Sequence, residues 1–139
     1  MNSETFRPTV RTQQDLERTW RHLMEPLGFG LHQVWVMLIG ADDRPIPHLI
    51  EIPDALEPPG EHEVAGLGTF LAGLQRDVLG PGGRIAFLRS RPGSDDVQPE
   101  DRQWARALRA ACRAEQVPCD VVHLANDQML VPLPFDEVI

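Results

Sequence analysis

The stretch Gly83–Asp101, GRIAFLRSRPGSDDVQPED, decides how the chain is read. It opens as a short apolar strand, Ile85-Ala86-Phe87-Leu88, of the kind a covered sheet needs. Arg89 and Arg91 follow at the same parity, so an extended backbone sends both side chains to one side. An acidic loop containing Gly93 comes next, and a helix starts at Pro99, where proline suits the first turn. A strand that delivers two side chains, followed by a loop and a helix bearing a carboxylate (Asp101), is a common layout for a metal or catalytic site. Both delivered side chains are guanidiniums here, permanently charged and without a lone pair to donate.

The flanking segments extend this unit into a mixed sheet. Upstream, Thr12 is placed as the N-cap of a helix with Asp15 in its first turn. Leu16, Trp20, Leu23 and Leu27 recur at helical spacing, with Arg18 and Arg21 facing water and Pro26 and Gly28-Phe29-Gly30 closing the helix. Val34–Ile39 (VWVMLI) is a central strand, and Ala41–Arg44 forms a turn. Ile46–Ile52 returns antiparallel, with Pro47 marking an edge or bulge position at its start. After the loop Asp54–Gly60 (DALEPPG), the residues Val64, Leu67, Leu71, Leu74 and Val78 define a second helix, stopped at Gly80-Pro81. GPGG at Gly80–Gly83 precedes a strand, whereas a phosphate loop follows one, so it too reads as a helix stop. Downstream, a third helix from Pro99 to Glu115 buries Trp104, Leu108 and Ala111. Pro118–Leu124 and Met129–Leu133 form two closing strands around an Asn126-Asp127 turn. The expected fold is α/β (α+β), one domain over 12–139 behind a polar lead-in at 1–11, with a mixed β-sheet flanked by about three helices.

Composition narrows the function classes. A chain of 139 residues, 42% hydrophobic with three tryptophans, can build one ordinary core. A net charge of −8 argues against nucleic acid as the main partner. The longest strong apolar run, Val34–Ile39, is far too short to span a bilayer, and MNSETFRPTV has no signal-peptide core, so the expectation is a soluble cytoplasmic protein. Cys112 and Cys119 do not make a disulfide framework and read as buried thiols.

The element order resembles the JAB/MPN (JAMM) domain, and within it the C-terminal domain of bacterial RadC-type proteins, over about Thr12–Leu133. Val34–Ile39 matches the family's first strand, Arg89-Ser90-Arg91-Pro92 its His-x-His-Pro segment, Gln98-Pro99-Glu100-Asp101 its Ser-x-x-Asp, and Val122-His123-Leu124 its Asp-His-Leu. The resemblance implies a three-layer, cytidine-deaminase-like architecture. Hydrolytic members hold zinc with the two histidines and the aspartate, while a glutamate near the position of His32 acts as general base. In this chain Arg89 and Arg91 replace the histidines, Gln98 replaces the serine, and of the ligand set Asp101 alone remains. The resemblance thus implies the scaffold of a pseudoenzyme without zinc or another cofactor, its vestigial site being His32, Arg89, Arg91, Gln98 and Asp101. A buried Arg–carboxylate pair is one way such a site could stand without metal.

Three functions follow as expectations. The first is a non-catalytic module that binds another protein or serves as a structural subunit, with homo-oligomerisation open. Its contact surfaces would be DALEPPG, Val131-Pro-Leu-Pro-Phe135 and the sheet edges. The second is a metal-dependent, peptidase- or isopeptidase-like hydrolase whose site is rebuilt from His32, Asp101 and His123. The third is an anion-binding module using Arg89 and Arg91, whose bland counterpart is salt bridging to Asp95, Asp96 or Asp101. The five histidines (His22, His32, His48, His62, His123) make no closely spaced ligand pair. His62, between two glutamates, reads as a loop residue, and His123 as a strand residue with one ring nitrogen satisfied. Ser90 lacks an identifiable base.

Overall fold

The computed structural model describes residues 8–134. Its elements run α1 (Gln13–Met24), β1 (Gln33–Ile39), β2 (Pro45–Ile52), α2 (Glu61–Leu74), β3 (Arg84–Ser90), α3 (Pro99–Ala114), β4 (Val122–Ala125) and β5 (Leu130–Leu133). α2 continues into a π-helical turn over Gln75–Leu79. The five strands form one mixed sheet in the order β2-β1-β3-β4-β5. β1 is antiparallel to both of its neighbours, β3 and β4 are parallel across the α3 crossover, and β5 returns antiparallel. The class is therefore α+β, with three helices on a mixed sheet.

Alternation along the strands divides the interior in two. Val34, Val36, Leu38, Ile85, Phe87, Val122 and Leu124 pack with Leu71 of α2 and with Trp104, Leu108 and Ala111 of α3. Met37, Ile39, Ala86, Leu88, Ala125 and Leu130 pack with Leu16 and Trp20 of α1. Because both faces are covered, β1 and β3 are apolar almost without interruption, which is what made them legible as central strands. Arg89 and Arg91 share the parity of Ile85 and Phe87 and so lie on the α2/α3 side.

Thr12 caps α1 as expected, in a reciprocal box with Asp15: the Asp15 amide donates to Thr12 Oγ1 at 3.0 Å. The helix ends at Met24, ahead of Pro26, so Leu27 lies outside it and Leu23 is left 39% exposed. Arg21 does not simply face water. Its Nη2 donates to the Leu130 carbonyl at 3.0 Å and ties α1 to β5. α2 starts earlier than the apolar spacing indicates, because Glu63 accepts the Gly60 N–H and closes the first turn. This places His62 on the helix and not in a loop, and the π-turn carries Val78 outward, away from the core.

β4 is shorter than expected. Cys119 makes a bridge to Ile85, but His123 lies four positions beyond Cys119 while its partner Leu88 lies three beyond Ile85, and the extra residue interrupts the ladder. The Asn126 turn forms as read, with Asn126 Oδ1 accepting the Gln128 and Met129 amides at 2.9 Å. The lead-in is not polar and loose throughout: Val10 is buried, its amide donates to the Asp43 carbonyl, and Arg84 binds its carbonyl. Residues 1–7 of the lead-in, and Phe135 of the proline-rich segment, lie outside the described residues. Among the described residues no helix is long and apolar enough to cross a membrane.

Candidate functional site

The end of β3 delivers the two arginines toward the start of α3, and Asp101 meets both. Arg89 Nε donates to Asp101 Oδ1 at 3.0 Å. Arg91 donates from Nε to Oδ1 at 2.9 Å and from Nη2 to Oδ2 at 2.8 Å, which makes it the bidentate partner. Asp101 Oδ2 also accepts the Gln98 amide at 2.7 Å. The two expectations for Asp101, helix-start acid and arginine partner, are met by one carboxylate whose four acceptor positions are all in use. Arg89 is 1% exposed, Arg91 6% and Asp101 0%, so this is a buried ion cluster and not the exposed pairing expected of the bland reading. The carboxylates of Asp95 and Asp96 take no part, although the Asp96 carbonyl accepts from Arg91.

One further contact has no sequence signal. Arg89 Nη1 donates to the carbonyl of Ala55, a backbone group in the DALEPPG loop that no side-chain pattern advertises. Arg89 also lies over the Trp104 ring, 5.7 Å from its centroid, because Trp104 stands one helical turn beyond Asp101. That contact had a sequence signal in the i, i+3 spacing.

Electrostatics follow from burial and pairing. Burial alone would raise the Asp101 carboxyl, but the bonds from Arg91, the Gln98 amide and Arg89 hold it below the usual carboxylate range. For Arg89, the deeper arginine, desolvation outweighs the pull of Asp101 and lowers its pKa, whereas for Arg91 the bonds to Asp101 dominate and raise it. His32 is held below its ordinary value by partial burial and then by the two guanidinium charges.

His32, Arg89, Arg91, Gln98 and Asp101 all line one cleft of ≈ 420 Å³, joined by Leu56, Glu57, Pro58, Asp95 and Glu100. The residues singled out one by one in the sequence are thus gathered in a single place. His123 is not among them. It shares the parity of Ala125 and faces α1, on the opposite side of the sheet from Asp101, so His32, Asp101 and His123 do not converge. Neither His123 ring nitrogen has a hydrogen-bond partner, contrary to the one satisfied nitrogen expected. Desolvation takes its pKa down to about 4, against smaller upward pulls from Glu17, the nearby Val121 backbone and Asp120.

The donor set does not fit zinc. Two of its members are guanidiniums that would repel a dication, and the carboxylate is already saturated. No group of three or more His, Cys, Asp or Glu among the described residues is arranged to hold a metal ion. Ser90 Oγ accepts from Trp35 Nε1 at 3.0 Å on the α1 side of the sheet, and Ser90 does not line the cleft. Cys112 is buried and Cys119 half-buried, both as free thiols. Comparison with known proteins gives no match to any family model, curated protein or solved structure.

Proposed function

We propose that the chain is a non-catalytic JAB/MPN-like domain of RadC type, acting as a protein-binding or structural module. The observation that carries the reading is the Arg89–Asp101–Arg91 cluster. In the resemblance these positions are the metal-ligand seats, and here two guanidiniums share one carboxylate, which leaves one net positive charge and uses up the ligating group. The sheet order, with a parallel β3–α3–β4 unit and the cleft at the end of β3, supports the same scaffold. The rim of the cleft suits protein contact, since Leu56 is exposed beside Pro58 and the carboxylates of Glu57 and Glu100.

The two other functions have weaker support. A rebuilt hydrolase lacks convergence, with His123 across the sheet. An anion clamp needs free donors, and most of those on Arg89 and Arg91 are engaged within the chain, in a cleft where two arginines face four carboxylates.

Elemental analysis of the purified protein after incubation with zinc and removal of unbound ion is the decisive measurement. The expected result is no stoichiometric metal, together with no hydrolysis of peptide or isopeptide substrates. Stoichiometric zinc that disappears in Asp101→Ala would overturn the reading. So would sulfate or phosphate binding that is lost in Arg89→Ala, in favour of the anion module.

A further inference from the structure

α2 differs from the other two helices in a way the cleft does not explain. From Val64 to Gln75 it reads VAGLGTFLAGLQ, without one charge, whereas α1 and α3 carry charged outer faces. Its inner side is accounted for. Val64, Leu67, Leu71 and Leu74 pack on the core, and a Cβ at Gly68 would come within 2.9 Å of the Ala111 carbonyl, so glycine there lets α3 approach. Its outer side carries Gly66, Thr69, Phe70 and Gly73, with Phe70 46% exposed. A Cβ at Gly66 would meet nothing within 4 Å, so a residue that costs a helix about 1 kcal/mol relative to alanine has no packing reason among the described residues. A helix apolar around its whole circumference is normally covered on every side.

Charge order along the helix says what would cover it. Consider two α2 helices, antiparallel, related by a two-fold axis beside the Thr69–Phe70 bond. Glu63 of each copy then lies opposite Arg76 of the other, His62 opposite Asp77, and Gly66 opposite Gly73. A parallel pairing would set Glu63 against Glu63 and Arg76 against Arg76. Facing glycines allow the axes to come close, and each Phe70 finds a flat surface on the other copy. Arg76 now pairs with its own neighbour Asp77 at 3.0 Å, with both side chains mostly in water, an arrangement worth little and readily exchanged. One oxygen of Glu63 caps the Gly60 amide, and the carboxylate has a second.

We infer that the outer face of α2 is a homodimer interface, on which a second copy of this chain docks antiparallel along Glu63–Arg76. The inference is independent of the reading of the cleft. The paired stretch is about 20 Å of helix, a small interface, so the dissociation constant falls in the micromolar range.

Sedimentation velocity on the full chain, over concentrations from about 1 μM to about 1 mM, tests it. The expected result is a concentration-dependent dimer. Phe70→Glu and Gly66→Met each weaken it at least about tenfold while the far-UV spectrum stays native, since neither position packs inward. Arg76→Glu weakens it as well, and adding Glu63→Arg to the same chain restores it, because the reversed charges meet again across the two-fold axis. Glu63→Arg also removes the bond to Gly60, so this variant is read at a temperature where its spectrum is native. A monomer at every concentration overturns the inference. A dimer indifferent to both Phe70→Glu and Gly66→Met, or one that Arg76→Glu leaves untouched, overturns it equally.

Discussion

The two faces of the sheet bury polar groups in opposite ways. On the α2/α3 face, Arg89, Arg91 and Asp101 are taken out of water as ions, and every Asp101 lone pair has a donor. On the α1 face, His123 is taken out of water as a neutral ring with no partner at either nitrogen. Buried charge survives only when paired, because the desolvation cost of an isolated ion is prohibitive. A buried imidazole has another route, shedding its proton. The first solution makes three residues interdependent; the second makes one residue sensitive to acid.

Breaking the ion cluster has the largest expected effect. Asp101→Ala strands two guanidiniums in the interior and uncaps α3, for a loss of about 3–5 kcal/mol in denaturant unfolding. The loss changes little between low and high salt, because buried pairs are poorly screened. A loss under about 1 kcal/mol would mean that water reaches the cluster and the pairing is ornamental.

Acid tests the other face. The folded pKa of His123, about 4, lies below the 6.5 of the exposed ring, so the unfolded chain binds the extra proton first. Stability is therefore full above about pH 6.5 and declines as the pH falls to about 4, by about 3 kcal/mol. His123→Leu should flatten that slope in urea melts taken from pH 7 to pH 4. The Asp101 contribution has its own limb at lower pH. Its folded pKa is depressed, so it is complete above the unfolded value near 3.8 and disappears as the pH falls through the folded one. A single acid limb that His123→Leu leaves unchanged would contradict the contrast between the faces.

The smallest effect calibrates the largest. α1 has a cap without buried arginines, its Thr12–Asp15 box being exposed. Thr12→Ala should cost about 1 kcal/mol, the usual worth of such a cap. The excess of Asp101→Ala over Thr12→Ala then isolates what the arginines add.

Strand identity was readable because β1 and β3 are covered on both faces and so show unbroken apolar runs. Helix starts at Thr12 and Pro99 were readable because capping chemistry is local, confined to residues three apart. Helix ends and the inner strand boundary were not. Leu23 and Val78 satisfy the apolar spacing yet end exposed, since a repeat says which residues could share a face and nothing about whether a neighbour covers it. The shortened β4 depends on a one-residue mismatch between two distant segments, invisible to either alone. The site divides the same way. Equal parity put Arg89 and Arg91 on one side and helix position put Asp101 at a terminus, and all three were found together.

Residue type alone settles part of the chemistry at the cleft: a guanidinium has no lone pair to donate, and no folding can supply one. How those charges are borne depends on the packed fold. The Ala55 carbonyl accepts from Arg89 across 34 residues of sequence, and His123 falls on the far side of the sheet from Asp101. Residue type sets which bonds are possible, because lone pairs and protons belong to the side chain. Partner choice is set by which segments the packed sheet brings within 3 Å, and that information resides in no single stretch of chain.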